Sequence, residues 1–340
     1  MTKHLSSLLV GTLFSINLLA QNYTCSTLDN ISEINLTISE ESNFVIFAED
    51  SHSDNLRNKE FAIQYLQFLN QNGFNSLALE LGVAYEYVSG LGDTTTISGL
   101  IGPLNYKFIR NVHLYNYEKP ESSITIRGFD VETYFPFALK ILGFIFEKYA
   151  SKSNELNKLL LASERVNKMG EGEVQNNSII ELTASVKNYV VRKNEGVLSS
   201  VDSIYLYKIA DGLENGVLFN FKDWNLRENK IFKNIELLAK NPRRKYVLLV
   251  GSQHVDKKVY RKTPSFYTRM LTAGILKPEI DTAPVIIFRK DENIDDRLGL
   301  YKISKEDYKL ITEYLTQNAG MIYCKDSKPE SSSKSYLFYD

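Results

Sequence analysis

Residues 43–52 read Asn43-Phe-Val-Ile-Phe-Ala-Glu49-Asp50-Ser51-His52, an unbroken apolar run that ends in polar side chains. Similar runs end at Glu80, at Asp130 and, after Lys245-Tyr-Val-Leu-Leu-Val-Gly251, at His254. Continuous apolar runs of this length are typical of strands buried on both faces of a parallel sheet. In an open α/β sheet the ligand crevice lies outside the carboxyl ends of the strands. The pattern therefore predicts one sheet edge that carries Glu49, His52, Glu80, Asp130 and His254.

The segments between these runs predict an α/β fold, with a parallel or mixed β-sheet flanked by helices. Leu56 to Asn72 has helical apolar spacing, and Gly73 follows where a helix would end. The stretch from about 136 to 240 is too long for a simple crossover between strands. We expect it to be a helical insertion that caps the carboxyl edge of the sheet. Residues 82–116 are predicted to form a short helix and a long loop that lines the site.

The composition is that of a globular chain without a marked electrostatic preference. The 340 residues include 40 basic and 41 acidic side chains, and 43% of them are hydrophobic. This size and composition fit a single α/β domain over residues 21–340. The balance of charge gives no reason to expect nucleic acid or an anionic membrane as a partner. The expected partner is a small-molecule or peptide substrate.

The first twenty residues have the pattern of a secretory signal peptide. Lys3 lies in a basic start, residues 5–20 are mainly apolar, and Gln21 begins a polar stretch. A membrane anchor is the alternative, but this apolar stretch is short for a span. The sequence therefore predicts an exported protein, periplasmic or secreted, with signal peptide 1–20 and no stable membrane span after its removal.

The chain has two cysteines, Cys25 and Cys324, one near each end. An exported protein can keep a disulfide, and the ends of a domain often lie close together. Two separate free thiols fit the sequence equally well. Neither cysteine has the spacing of a zinc site or of a Cys-x-x-Cys redox pair.

Of the four histidines in the chain, His52 and His254 follow predicted strands. Imidazole suits acid–base chemistry because its pKa lies near neutrality, and the neutral ring is also a good metal ligand. The alternative for His52 is an exposed place in a loop that caps the next helix.

Glu49 and Glu80 end runs that should be buried, where an unpaired carboxylate is unfavourable. Each needs a metal, a histidine or an arginine as its partner, or else forms a purely structural ion pair. Arg227, on a predicted helix from Trp224, either pairs with such a carboxylate, binds an anionic substrate group or extends to the helix edge. Tyr85 is a candidate pocket wall that binds substrate.

Taken in chain order, these motifs resemble the superfamily of erythromycin-esterase-like proteins, the haem-binding ChaN group and the Tiki/TraB proteins. The resemblance runs through Ala48-Glu49-Asp50-Ser51-His52, Gly73-Phe74 to Glu80, Gly128-Phe129-Asp130, Arg227-Glu228 and Gly251-Ser252-Gln253-His254-Val255. Erythromycin esterases usually have a second histidine where this chain has Gly251. The last motif is therefore the Gly-x-x-His form of the Tiki/TraB group.

The resemblance implies a hydrolase that activates water with a His/Glu site to cleave an ester or amide bond. Together with the predicted placement, the resemblance implies that His52 is the general base and that Glu49 and Glu80 orient His52 or bind a metal. His254 would be a second base or a metal ligand. Arg227 would stabilise an oxyanion. Asp130 would bind substrate with Tyr85. A divalent metal, held by Glu49, His52, Glu80 and His254, and a metal-free site are both compatible with it. The alternative is a haem- or transition-metal-binding protein of the ChaN type that uses the same ligands.

Overall fold

A computed structural model of the chain describes residues 18–20, 23–34, 36, 38–50, 55–193, 196–241, 243–256, 258–259, 262–277, 283–289, 303–318, 320–326 and 335–339. The strands are β1 (Leu18–Ala20), β2 (Tyr23–Leu28), β3 (Phe44–Glu49), β4 (Phe74–Leu79), β5 (Thr125–Gly128), β6 (Lys245–Gly251), β7 (Lys258–Val259), β8 (Thr263–Pro264), β9 (Val285–Arg289), β10 (Met321–Asp326) and β11 (Ser335–Tyr339). The helices are α1 (Asn55–Leu69), α2 (Val83–Ser89), α3 (Thr94–Leu100), α4 (Pro103–Glu118), α5 (Phe135–Glu147), α6 (Asn154–Asn167), α7 (Glu173–Lys193), α8 (Ser200–Phe219), α9 (Trp224–Ala239), α10 (Phe266–Thr272) and α11 (Lys305–Asn318). None of the helices in these ranges is long and apolar enough to cross a lipid bilayer.

The chain divides into two compact units, one of residues 35–287 and one of residues 1–34 and 288–340. The sequence predicts one domain over residues 21–340 and gives no sign of this division. In the smaller unit the strands pair antiparallel in the order β1-β2-β10-β11. Cys25 and Cys324 lie directly opposite each other on β2 and β10 and form a disulfide. Of the two alternatives for the cysteines, the structure therefore has the bridge.

The larger unit is built on a parallel sheet with the strand order β9-β3-β6-β4-β5. The apolar runs explain this sheet, because every residue of β3 and nearly every residue of β6 is buried. In the register, Glu49 lies opposite Gly251, and Leu79 lies opposite both Leu249 and Gly128. The carboxyl ends of β3, β6, β4 and β5 thus lie at one edge, and the predicted α/β fold is confirmed.

Helices α5 to α9 form the insertion predicted between β5 and β6. Two glycines of α8 let this insertion approach the segment that follows β5 very closely. A Cβ atom at Gly216 would lie 2.1 Å from the backbone oxygen of Glu132, and one at Gly212 would lie 2.9 Å from its Cγ atom. The insertion therefore lies against the carboxyl end of β5, as a cap on that edge of the sheet.

The expectation of one short helix and a long loop over residues 82–116 is wrong, because the structure has three helices there, α2, α3 and α4. Asp93 caps α3, its carboxylate accepting hydrogen bonds from the N–H groups of Thr95 and Thr96 at 3.1 and 3.0 Å. Pro103 occupies the first turn of α4, where proline is favoured. The Gly, Thr and Pro residues of this segment therefore mark helix starts rather than a loop.

Candidate active site

Arg227 is the centre of a buried group of charged side chains at the carboxyl edge of the sheet. Its Nη2 donates to Glu80 Oε1 at 2.7 Å and to Asp130 Oδ2 at 2.5 Å, and its Nε donates to Asp130 Oδ1 at 3.1 Å. Asp223 starts α9 by accepting the N–H of Leu226, which places Arg227 in the first turn. Arg227 is 8% exposed, so it points inward and does not extend to the helix edge.

His254 lies between two carboxylates. Its Nε2 is 3.1 Å from Glu80 Oε1, and its Nδ1 is 2.5 Å from Glu228 Oε1. Glu228, the residue after Arg227, is fully buried, and its Oε2 accepts the N–H of Phe266 at 2.6 Å. We call Glu80, Asp130, Arg227, Glu228 and His254 the Arg227 cluster.

The sheet register sets the position of Glu80. The N–H of Glu80 donates to Leu249 O at 3.1 Å, which continues the pairing of β4 with β6 by one residue. The Glu80 side chain then reaches the end of β6, where its Oε2 accepts the N–H of Gly251 at 2.6 Å. Glu80 therefore accepts hydrogen bonds from α9, from the end of β6 and from His254 in the short 3-10 helix that follows β6.

The charges of the cluster stabilise one another. Burial opposes the charge on Glu80, but His254, Arg227 and the N–H of Gly251 outweigh it and hold the pKa of Glu80 well below its usual value. Burial also opposes the charge on His254, but Glu80 and Glu228 outweigh it and raise the pKa of His254 to about 10. The cluster therefore holds an ionised Glu80 against two cations at neutral pH.

A doubly protonated His254 has no lone pair with which to accept a proton or bind a metal. The sequence predicts a second base or a metal ligand at this position, and either role would require His254 to lose a proton. Among the residues that the structure describes, no three His, Cys, Asp or Glu side chains are arranged to hold a metal ion. His52, the remaining predicted ligand and the predicted general base, lies outside the described residues.

Asp130, for which the sequence predicts a substrate-binding role, is bound to Arg227 in the structure. Both carboxylate oxygens accept hydrogen bonds from Arg227, and Oδ1 also accepts the N–H of Val131 at 2.7 Å. The side chain is 3% exposed. Asp130 therefore anchors Arg227, and its substrate-binding role stays a prediction.

Glu49 ends β3 as predicted and is 4% exposed, and its Oε2 accepts a hydrogen bond from Asn58 Nδ2 at 2.9 Å. Within the described part of the chain, no hydrogen bond or ion pair joins Glu49 to the Arg227 cluster. Lys59, one residue after Asn58, is also buried. Burial lowers the pKa of Lys59 to about 8, although the Glu49 charge partly opposes this change.

A cavity of about 480 Å³ adjoins the cluster, and Glu80 and Tyr85 are in its wall. The Tyr85 side chain is buried, and its hydroxyl has no hydrogen-bond partner among the described residues. Burial raises the pKa of Tyr85, so the phenol remains protonated. The Lys59 ammonium lies 5.5 Å from the centre of the Tyr85 ring. Tyr85 is therefore part of the cavity wall, and its substrate-binding role stays a prediction.

Two acidic residues near this edge were not predicted to act in the site. Glu228 had one sequence signal, its place directly after Arg227 in the helix motif. Glu132, which lines the cavity and is 4% exposed, lies only two residues after Asp130. No apolar run ends at Glu132, so the pattern that identified Glu49, Glu80 and Asp130 did not identify Glu132.

Comparison with protein families finds no matching family profile for this chain. No curated protein matches it either. Solved structures do match. A mutant of erythromycin esterase EreC in its open conformation has a TM-score of 0.56 and 13% identity, over 93% of this chain and 97% of that one.

Two other solved structures resemble the chain. A Bacillus cereus protein has a TM-score of 0.51 and 14% identity, over 80% of this chain and 74% of its own. A succinoglycan biosynthesis protein has a TM-score of 0.50 and 13% identity, over 78% and 73% of the two chains. Identities this low show the fold alone. The chain has an erythromycin-esterase-like fold, and these comparisons do not confirm the ChaN or Tiki/TraB part of the resemblance.

Proposed function

We propose that this protein is a hydrolase that cleaves an ester or amide bond of a small-molecule or peptide substrate bound in the cavity. The proposal rests on one observation: Glu80 lines the cavity and forms ion pairs with Arg227 and His254. Preorganised charges in a buried site stabilise charge that develops in a transition state more strongly than water does. The likeness of the fold to that of an esterase supports the same chemistry.

In the proposed mechanism His52 takes a proton from water, as the resemblance implies. Glu49 and Glu80 orient His52. The water oxygen attacks the carbonyl carbon, and negative charge develops on the carbonyl oxygen. Arg227 stabilises that charge, as the resemblance implies, while His254 holds Glu80 in place. The Nη1 group of Arg227 makes no hydrogen bond within the described residues, which leaves its N–H groups for a substrate oxygen. The Tyr85 hydroxyl is a further donor.

Export is part of the proposal. It is supported by the signal-like residues 1–20 and by the Cys25–Cys324 disulfide, because disulfides persist mainly in oxidising compartments. Cleavage after Ala20 would remove β1, which is an edge strand paired with β2, and would leave the β2–β10 pairing intact. N-terminal sequencing of the protein recovered from outside the cytoplasm tests this point. A chain that still begins at Met1 in the cytoplasm would contradict it.

The mechanism is tested by screening wild-type protein against a panel of esters and amides and then comparing His52→Ala with Glu147→Gln. Glu147 is exposed on α5, so its replacement controls for general effects of substitution. Loss of a general base lowers turnover by about 10²–10⁴-fold. We expect a loss of this size in His52→Ala and none in Glu147→Gln. Unchanged turnover in a folded His52→Ala protein would show that the mechanism is wrong.

A further inference from the structure

Two acidic side chains, Glu80 and Glu132, line the same cavity, but the charged groups around them differ. Glu80 accepts hydrogen bonds from the cations Arg227 and His254. Glu132 forms no ion pair among the residues that the structure describes. When two acids in one site have environments that separate their pKa values, the pair divides into an ionised group and a proton donor.

Glu132 is held rigidly in a space that glycines provide. Its Oε1 accepts the N–H of Ala84 at 2.7 Å, at the start of α2. A Cβ atom at Gly82 would lie 2.0 Å from Oε2, and one at Gly212 would lie 2.9 Å from Cγ. Any larger residue at these two positions would displace the carboxyl group, so the fold keeps this space for Glu132.

Burial of Glu132 favours its neutral form. Burial raises the pKa of Glu132 to about 8, against the lowering effect of the N–H groups of Ala84 and Val83 and with added repulsion from Asp130. On α8, the glycines that approach Glu132 most closely, Gly212 and Gly216, carry no charge. Lys140 lines the same cavity, but its ammonium donates to the backbone oxygens of residues 99 and 100.

We propose that Glu132 is the catalytic proton donor to the leaving group in the cavity. This inference rests on the proposed hydrolase function. When the tetrahedral intermediate collapses, the C–O or C–N bond breaks and the leaving atom keeps the bonding electrons. That atom takes the proton from Glu132, and the resulting carboxylate regains a proton from solvent, which receives the one removed from the attacking water.

A purely structural role for Glu132, as a cap on α2, is the competing explanation. Glu132→Gln distinguishes the structural role from the catalytic role, because the glutamine oxygen can still accept the N–H of Ala84 while the acidic proton is lost. Acid assistance matters for a poor leaving group such as an alkoxide, and little for p-nitrophenolate. We therefore compare ethyl butyrate, followed by pH-stat titration, with p-nitrophenyl butyrate.

We expect Glu132→Gln to lower kcat for ethyl butyrate by about 10²-fold or more, with a change of less than about threefold for p-nitrophenyl butyrate. Glu147→Gln should change neither rate. In the wild type, kcat for the ethyl ester should fall as pH rises through about 8, because the donor must be protonated. The p-nitrophenyl ester should lack this alkaline fall. That pH comparison needs no variant, so it stands even where Glu132→Gln does not fold.

Equal losses on both esters, no loss on either, or an alkaline fall shared by both would overturn the role of Glu132 while the hydrolase function stands. A wild-type protein that hydrolyses neither these esters nor the wider panel would overturn the proposed function, and this inference with it. The two failures are therefore distinguishable.

Discussion

Replacing Glu80 with glutamine should destabilise the larger unit strongly, because Glu80 joins the two cations of the Arg227 cluster to the end of β6. Its two oxygens accept from Arg227 at 2.7 Å, from His254 at 3.1 Å and from the N–H of Gly251 at 2.6 Å. A glutamine offers one oxygen and one NH₂ group in this space. Whichever way the amide is turned, its NH₂ group meets at least one donor.

The size of the effect follows from these contacts. A buried donor left without an acceptor costs about 1–3 kcal/mol. Removal of one partner from a buried ion pair costs about 3–5 kcal/mol in total, because the remaining charge stays buried and uncompensated. We therefore expect Glu80→Gln to lower the free energy of unfolding by about 3–5 kcal/mol at pH 7.

Trp224 makes the assay specific to this region. It is the only tryptophan, and its ring centre lies 5.4 Å from the Arg227 guanidinium. Urea unfolding followed by tryptophan fluorescence therefore reports on the cluster, with Glu147→Gln as the matched control. A loss below about 1 kcal/mol would refute the argument, since that is the range of a single neutral hydrogen bond. If Glu80→Gln does not fold, Arg227→Lys keeps the charge but loses the two-pronged contact with Asp130, and it should be measurably less stable.

Three further predictions concern Tyr85, His254 and the disulfide. Tyr85→Phe removes a buried hydroxyl that has no partner among the described residues. It should therefore leave the free energy of unfolding unchanged or raise it by about 1 kcal/mol, and it should raise KM. A clear loss of stability in urea unfolding would contradict this. The pKa of His254 is raised to about 10, so its stabilising contribution should be complete below about pH 6.5 and should disappear as pH rises toward 10. The stability difference between wild type and His254→Asn should therefore shrink over that range, and a constant difference would contradict the protonated state. Replacing Cys25 and Cys324 by serine should lower the stability of the smaller unit by about 2–5 kcal/mol, and calorimetry that finds no change would show that the bridge is dispensable.

The sheet was predictable because its signals are local. Apolar runs such as residues 44–49 and 245–251 are buried on both faces, and each residue contributes to the pattern without regard to distant parts of the chain. The same reasoning found Glu80 and His254, since each follows such a run. Of the three helices over residues 83–118, the sequence predicted only one short helix. Their starts use Gly, Asp and Pro, which also mark loops.

The chemistry of the site was less predictable because it depends on contacts between distant residues. The protonation of His254 depends on Glu80, 174 positions away, and on Glu228 in the cap. The space around Glu132 is provided by Gly82 before α2 and by Gly212 and Gly216 on α8. No local pattern relates these positions, so the sequence identified candidate residues without their charge states or partners.

The central claim is that the Arg227 cluster beside the cavity is a hydrolytic site, and kinetics of Arg227→Lys test it most directly. The measurement is kcat/KM for the best ester found in the panel, for wild type and for Arg227→Lys shown to be folded by tryptophan fluorescence. The account predicts a loss of about 10²-fold or more, because a lysine cannot reproduce the guanidinium geometry that stabilises the oxyanion. Unchanged kcat/KM in the folded variant would contradict the claim.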